Sequence, residues 1–119
     1  MNILGPLVQF HQQARIFHWH TSSYAEHQAY GMLYTTLNDL IDEFVETFIG
    51  KFGKPLPTLT YQLELKSLDS QNTVDNYFID FIKYLESMTA EIPKESDLLN
   101  IRDEMLGVVN KTKYLLTLK

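Results

Sequence analysis

The chain has 119 residues, enough for one domain (1–119) and not comfortably for two. A hydrophobic content of 45% with 13% aromatics supports a real core and excludes a disordered chain, while the absence of cysteine excludes disulfides and thiolate metal sites. The net charge of -5, and a first ten residues without lysine or arginine, argue against a basic nucleic-acid arm and a secretory signal. No apolar run approaches the ~20 residues of a membrane span, so a cytoplasmic compartment is the default expectation.

Four segments carry helical periodicity. The first, residues 3–21, places Leu4, Leu7, Phe10, Ala14 and Phe17 on one face. The second, residues 24–52, opens on a capping box, Ser23 with Glu26 three positions on. It stops at Gly53, followed by Pro55 and Pro57. The third, residues 73–91, carries Val74, Phe78, Phe81, Leu85 and Met88, with Asn72 as its expected cap and Pro93 as its end. The fourth, residues 96–118, carries Leu98, Ile101, Met105, Val109 and Leu116. Strand-like alternation is confined to Leu63-Glu64-Leu65. Short links join the first pair and the last pair of helices, which makes each an antiparallel hairpin. The connection from Lys54 to about Gln71 is long enough to run the length of a helix, so the expected fold is an all-α four-helix bundle with a crossover between helices 2 and 3.

Helix 2 is apolar well beyond the usual ~100° stripe, from Met32, Leu33 and Tyr34 through to Phe48, Ile49 and Phe52. Some of that surface is expected to be covered by a second subunit. The alternative is that the long connection folds over it.

Chemistry-bearing residues concentrate around the same helix. Asp42 and Glu46 are four apart, so their carboxylates lie one turn apart on one face and can chelate or bridge a hard cation. The plainer reading is a solvated acidic face shared with Asp39 and Glu43. His18 closes helix 1 and faces the turn that carries His27. His20 points ~200° away from His18 and reads as an exposed helix-end residue, as does His11. His27 precedes Asp42 by fifteen residues, ~22 Å along a helix axis. No single ion bridges that distance in one straight helix. If these residues form one site, two copies of helix 2 must meet antiparallel. With no thiolate, such a site suits iron, manganese or zinc rather than copper(I). Tyr24, Tyr30 and Tyr34 read first as packing, and otherwise as redox-accessible aromatics.

Over the stretch FHWHTSSYAEHQAYGMLYTTLNDLIDEFVETFIGKFGKPLPTLTYQLEL the chain resembles the Dps-type miniferritins of the ferritin-like superfamily. The elements that carry the likeness are His18-Trp19, His27, Asp42-x-x-x-Glu46, Gly53-Lys54-Pro55 and Leu63-Glu64-Leu65, in that order. The resemblance implies a ferritin-like bundle and a two-fold homodimer through helix 2. Each site would take His18 and His27 from one subunit and Asp42 and Glu46 from the other, with Trp19 beside it. It further implies Fe(II) binding and ferroxidase-type oxidation by peroxide or dioxygen, with a dodecameric cage as the usual higher assembly. Three departures stand out. Gly31 occupies the position where the family carries an acidic residue, the turn between the histidines is about three residues shorter, which makes His20 an alternative ligand, and there is no lysine-rich DNA-binding tail. Two rival expectations use the same scaffold: a degenerate bundle acting as a structural or interaction module, and a zinc- or manganese-stabilised dimer.

Overall fold

The computed structural model describes residues 3–54 and 61–118. Among these there are four helices and no strand: α1 (Leu4–His20), α2 (Tyr24–Phe52), α3 (Gln71–Glu91) and α4 (Ser96–Leu115). None is long and apolar enough to cross a membrane. Pro55 and Pro57, read as the stop after helix 2, lie outside the described residues.

The helix boundaries follow from local hydrogen bonding. Ser23 Oγ accepts the Glu26 N–H at 3.3 Å, as the capping box requires. Its return arm passes through Thr21, whose hydroxyl accepts the Ser23 N–H and donates to Glu26 Oε1 at 2.7 Å. Gly53 ends α2 at a φ of 83°, a left-handed conformation that disfavours any residue with a Cβ. At α3 the structure corrects the sequence reading: the cap is Ser70, whose Oγ accepts the Thr73 N–H, and Asn72 lies inside the helix. Both residues are good caps, and the helix takes the earlier one because that adds two residues of helical backbone hydrogen bonding. At the far terminus α4 stops at Leu115, and the Thr117 and Leu118 N–H groups close single turns onto Tyr114 and Leu115.

Side-chain registers define how the helices run. His11 and His18 of α1 bond to Tyr34 and His27 of α2, so these two are antiparallel. Phe10 stacks on Phe81 at 4.1 Å and meets Phe78 edge-on, while Phe17 meets Tyr77, so α1 and α3 are antiparallel too. Lys51 near the end of α2 pairs with Glu95 (2.8 Å) and Asp97 (3.1 Å) at the start of α4. It follows that α2 and α3 point the same way, on opposite corners of the bundle. One core, including Leu7, Phe17, Leu33, Phe44, Leu85 and Met105, draws on all four helices. Each such side chain contributes about 1.5–3 kcal/mol by leaving water.

The Leu63-Glu64-Leu65 alternation is extended chain but pairs with no strand. Its ladder partners are glutamine amides. Gln13, completely buried, accepts the Lys66 N–H (2.8 Å) and donates to the Lys66 carbonyl (2.7 Å), and Gln9 Oε1 accepts the Glu64 N–H (3.0 Å). This part of the long connection therefore lies along α1 rather than over α2. The wide apolar arc of α2 is instead divided between its two neighbours, α1 and α4. Leu40, Ile41, Val45 and Phe48 pack against the core from its flanks. Of its large apolar side chains, Tyr24, Met32 and Phe52 remain exposed.

Candidate metal centre

The turn at residues 21–23 is short enough to bring the end of α1 against the first turn of α2, and the two histidines exchange hydrogen bonds across it. His18 Nδ1–H donates to the His27 carbonyl at 2.6 Å, and His27 Nδ1–H donates to the His18 carbonyl at 2.9 Å. A carbonyl can only accept, so both Nδ1 atoms carry hydrogen. The rings stack at 3.7 Å with an 18° tilt. The His18 carbonyl belongs to the last turn of α1, where it has no partner within the helix, so His27 also serves as a side-chain cap.

With Nδ1 committed, the neutral form of each ring keeps its lone pair on Nε2. A metal-binding histidine ordinarily has this arrangement, with its other ring nitrogen donating to a carbonyl or carboxylate. The lone pairs lie in nearly parallel planes. An ion between the rings would sit far out of both planes, so the pair offers two separate coordination positions rather than one chelate.

Other residues buttress the pair. The Tyr34 ring meets His18 edge-on at 5.3 Å. The Tyr34 carbonyl accepts from His11 Nε2–H at 3.1 Å, and Gln12 donates to His11 Nδ1. Burial pushes the His11 imidazole below the usual histidine range; the Tyr34 carbonyl opposes this, Arg15 adds to it, and Asp42 opposes it. Neither His11 nor Tyr34 stood out in the sequence as part of the site. The seven-residue spacing of His11 and His18, which puts both on one face of α1, was the available signal. Trp19 is exposed and stands under the Arg15 guanidinium at 5.2 Å, with Tyr34 taking the place beside the histidines. His20 is exposed and takes no part in the exchange.

Asp42 and Glu46 are exposed on α2 and form no ion pair or side-chain hydrogen bond among the described residues. The Asp42 charge is felt at His11, where it raises the imidazole's affinity for a proton. Within one chain the histidines and carboxylates stay apart: among the described residues no group of three or more His, Asp or Glu side chains converges. Between the two halves lies an open groove of about 270 Å³ lined by His11, Arg15, Tyr34, Thr35, Asn38 and Asp39. Arg15 Nε is buried there without a hydrogen-bond partner among the described residues. A larger concavity of about 420 Å³, between the start of α3 and the end of α4, holds Asp75 and Lys113 and no histidine.

Among proteins of known sequence, this chain is similar to an uncharacterized 14.6 kDa protein in the mobD-ri intergenic region of Enterobacteria phage T4. The two are 29% identical over 126 residues, spanning 98% of this chain and 86% of that protein. No solved structure matches. A family of unknown function, DUF5856, matches residues 18–116, a span that takes in both histidines of the pair and both carboxylates. The chain belongs to the DUF5856 family.

Proposed function

We propose that this protein is a Dps-like iron-binding protein on a ferritin-like bundle, with its site completed between two copies. His18 and His27 of one subunit supply neutral nitrogen donors, and Asp42 and Glu46 of the other supply anionic oxygens. The observation that carries this reading is the histidine exchange, which spends both Nδ1 atoms on backbone and leaves both Nε2 atoms for a ligand. The parallel course of α2 and α3, which requires the chain between them to return along the bundle, supports the ferritin-like crossover.

Support for a second copy comes from the same face. Arg15 Nε and the acids Asp39, Asp42 and Glu46, all without a partner among the described residues, lie with exposed Met32 along one side of α1 and α2. A two-fold axis near Thr35 lays each acidic half against the other copy's histidine half, because Thr35 is midway between His27 and the carboxylates. Iron is then the substrate: two Fe(II) each give up one electron, and one peroxide accepts both with two protons to leave two waters. The protein's part is to bind Fe(II) through imidazole and to favour Fe(III) through carboxylate charge. A higher-order cage is the further assembly this reading allows.

The test is anaerobic Fe(II) titration of metal-free protein, then peroxide, with Glu46→Ala alongside and sedimentation to count subunits. Saturable binding and rapid oxidation, both lost in the variant, support the reading. Binding no stronger than the variant's sinks it. Gly31, at the position where the Dps-type proteins carry an acid, favours a second reading, a ferritin-like structural or interaction module without redox turnover; a zinc- or manganese-stabilised dimer on the same residues is the third. The module predicts no stoichiometric metal, and the dimer predicts metal-dependent stability without oxidant consumption.

A further inference from the structure

Gly31 is a glycine in mid-helix with no backbone reason to be one. Gly53 is the one described glycine at positive φ, and a helical glycine weakens its helix relative to alanine. What distinguishes Gly31 is its neighbour. A Cβ at this position would stand 3.1 Å from His18 Cε1 and 3.3 Å from His18 Nδ1. At Gly50, later in the same helix, and at Gly107 in α4, a Cβ would meet nothing within 4 Å. Nδ1 is the atom that donates to the His27 carbonyl. The ring has little room to retreat, since His27 stacks on it and the Tyr34 edge closes another side. His27, Gly31 and Tyr34 are spaced i, i+4, i+7, so all three lie on the stripe of α2 that faces the end of α1.

We propose that Gly31 is the positioning residue of the histidine pair: its missing side chain is the space in which His18 locks Nδ1 onto α2, leaving Nε2 as a donor to a divalent transition-metal cation. This rests on the metal-binding reading only for what Nε2 meets; the ring clamp is a property of the metal-free chain. Misorienting a ligand by disturbing its outer support ordinarily costs 10–100-fold in metal affinity, and a Cβ at Gly31 disturbs it directly.

The experiment compares Gly31→Ala, Gly50→Ala, His18→Ala and the Gly31→Ala/His18→Ala double variant in the full chain. Three readouts are taken: imidazole nitrogen NMR of the metal-free protein, thermal unfolding, and Co(II) titration followed by its visible spectrum. Gly31→Ala is expected to lose the slowly exchanging His18 Nδ1 proton, lower Tm and weaken Co(II) binding about 10–100-fold. Gly50→Ala is expected to keep the proton and the affinity. In the His18→Ala background the effect on Tm should change sign, because alanine is then only the better helix former. Retention of the His18 Nδ1 proton in Gly31→Ala, unchanged Co(II) affinity, or a Tm loss that persists without His18 overturns the proposal. Should Gly31→Ala not fold, the double variant must fold, and its failure also overturns it. A wild-type chain that binds no Co(II) overturns the metal-binding reading, and the positioning role is then supported by the ring proton and the Tm reversal alone.

Discussion

The two ends of α2 carry the two halves of the candidate site, and they are built differently. At its start, His27 is held by the end of α1, stacked on His18, and fixed in tautomer by a backbone carbonyl. Further along, Asp42 and Glu46 extend into solvent with no ion pair or side-chain hydrogen bond among the described residues. Imidazoles need a neighbouring helix to orient them, whereas carboxylates one turn apart are aligned by their own helix. A half-site organised in the single chain and a half-site organised only by a ligand or a second copy should therefore respond differently to mutation.

The largest expected effect is on binding. Asp42→Ala or Glu46→Ala is expected to abolish saturable Fe(II) binding while leaving chemical denaturation within about 0.5 kcal/mol of wild type, as for exposed sites without partners. A clear stability loss in either variant would mean that the acidic half is also structural, and the contrast between the ends would vanish. Next is His27→Ala, which removes the His27 Nδ1 bond to the His18 carbonyl and the stacked ring, uncaps α1, and leaves the His27 carbonyl as acceptor for His18. Its expected cost is about 1–3 kcal/mol of folding stability, read by urea unfolding of metal-free protein. A smaller effect sharpens the comparison from within the helix: Gly50→Ala, in open space, is expected to stabilise the fold by about 0.5–1 kcal/mol.

The pH dependence tests the histidine end again, about two turns along α1 from the pair. His11 titrates lower in the folded chain than in the unfolded one, chiefly because it is buried. Between that lowered value and the ordinary ~6.5 the unfolded chain binds more protons, so the His11 contribution is fully present above ~6.5 and is lost as pH falls toward the folded value. His11→Gln is expected to flatten that part of the stability profile, measured by urea unfolding from pH 7 to 5. The smallest effect belongs to the far end of α2. Lys51 is tied to Glu95 and Asp97, and Lys51→Met is expected to lower Tm slightly at low salt and not at high salt.

Much of the fold was legible because helix signals are local. The start of α2 at Tyr24 and its stop at Gly53 follow from one cap and one glycine. The α3 boundary does not follow in this way, because two good caps, Ser70 and Asn72, stand two residues apart and side-chain chemistry alone does not rank them. Gln13 has no explanation within the sequence. A glutamine on an apolar face is an anomaly in sequence, and only the chain passing beside it, with a backbone N–H and a carbonyl to satisfy, explains its burial. The apolar arc of α2 suggested a second subunit or a covering loop. Most of it is covered by α1 and α4 together, because a helix between two neighbours buries two flanks.

Sequence alone determined the helical segments, the incompatibility of His27 and Asp42 with one ion in one helix, and the one-turn spacing of Asp42 and Glu46. These rest on the 1.5 Å rise and 3.6-residue period of a helix, which need no neighbour. Helix geometry already turned His18 toward His27; only tertiary structure decided that the two exchange hydrogen bonds through their backbones, that Tyr34 rather than Trp19 buttresses the pair, and that Gly31 is a space filled by a ring. Those outcomes depend on the rotation and separation of α1 against α2. These are set by packing across the whole bundle together with the short turn between the two helices.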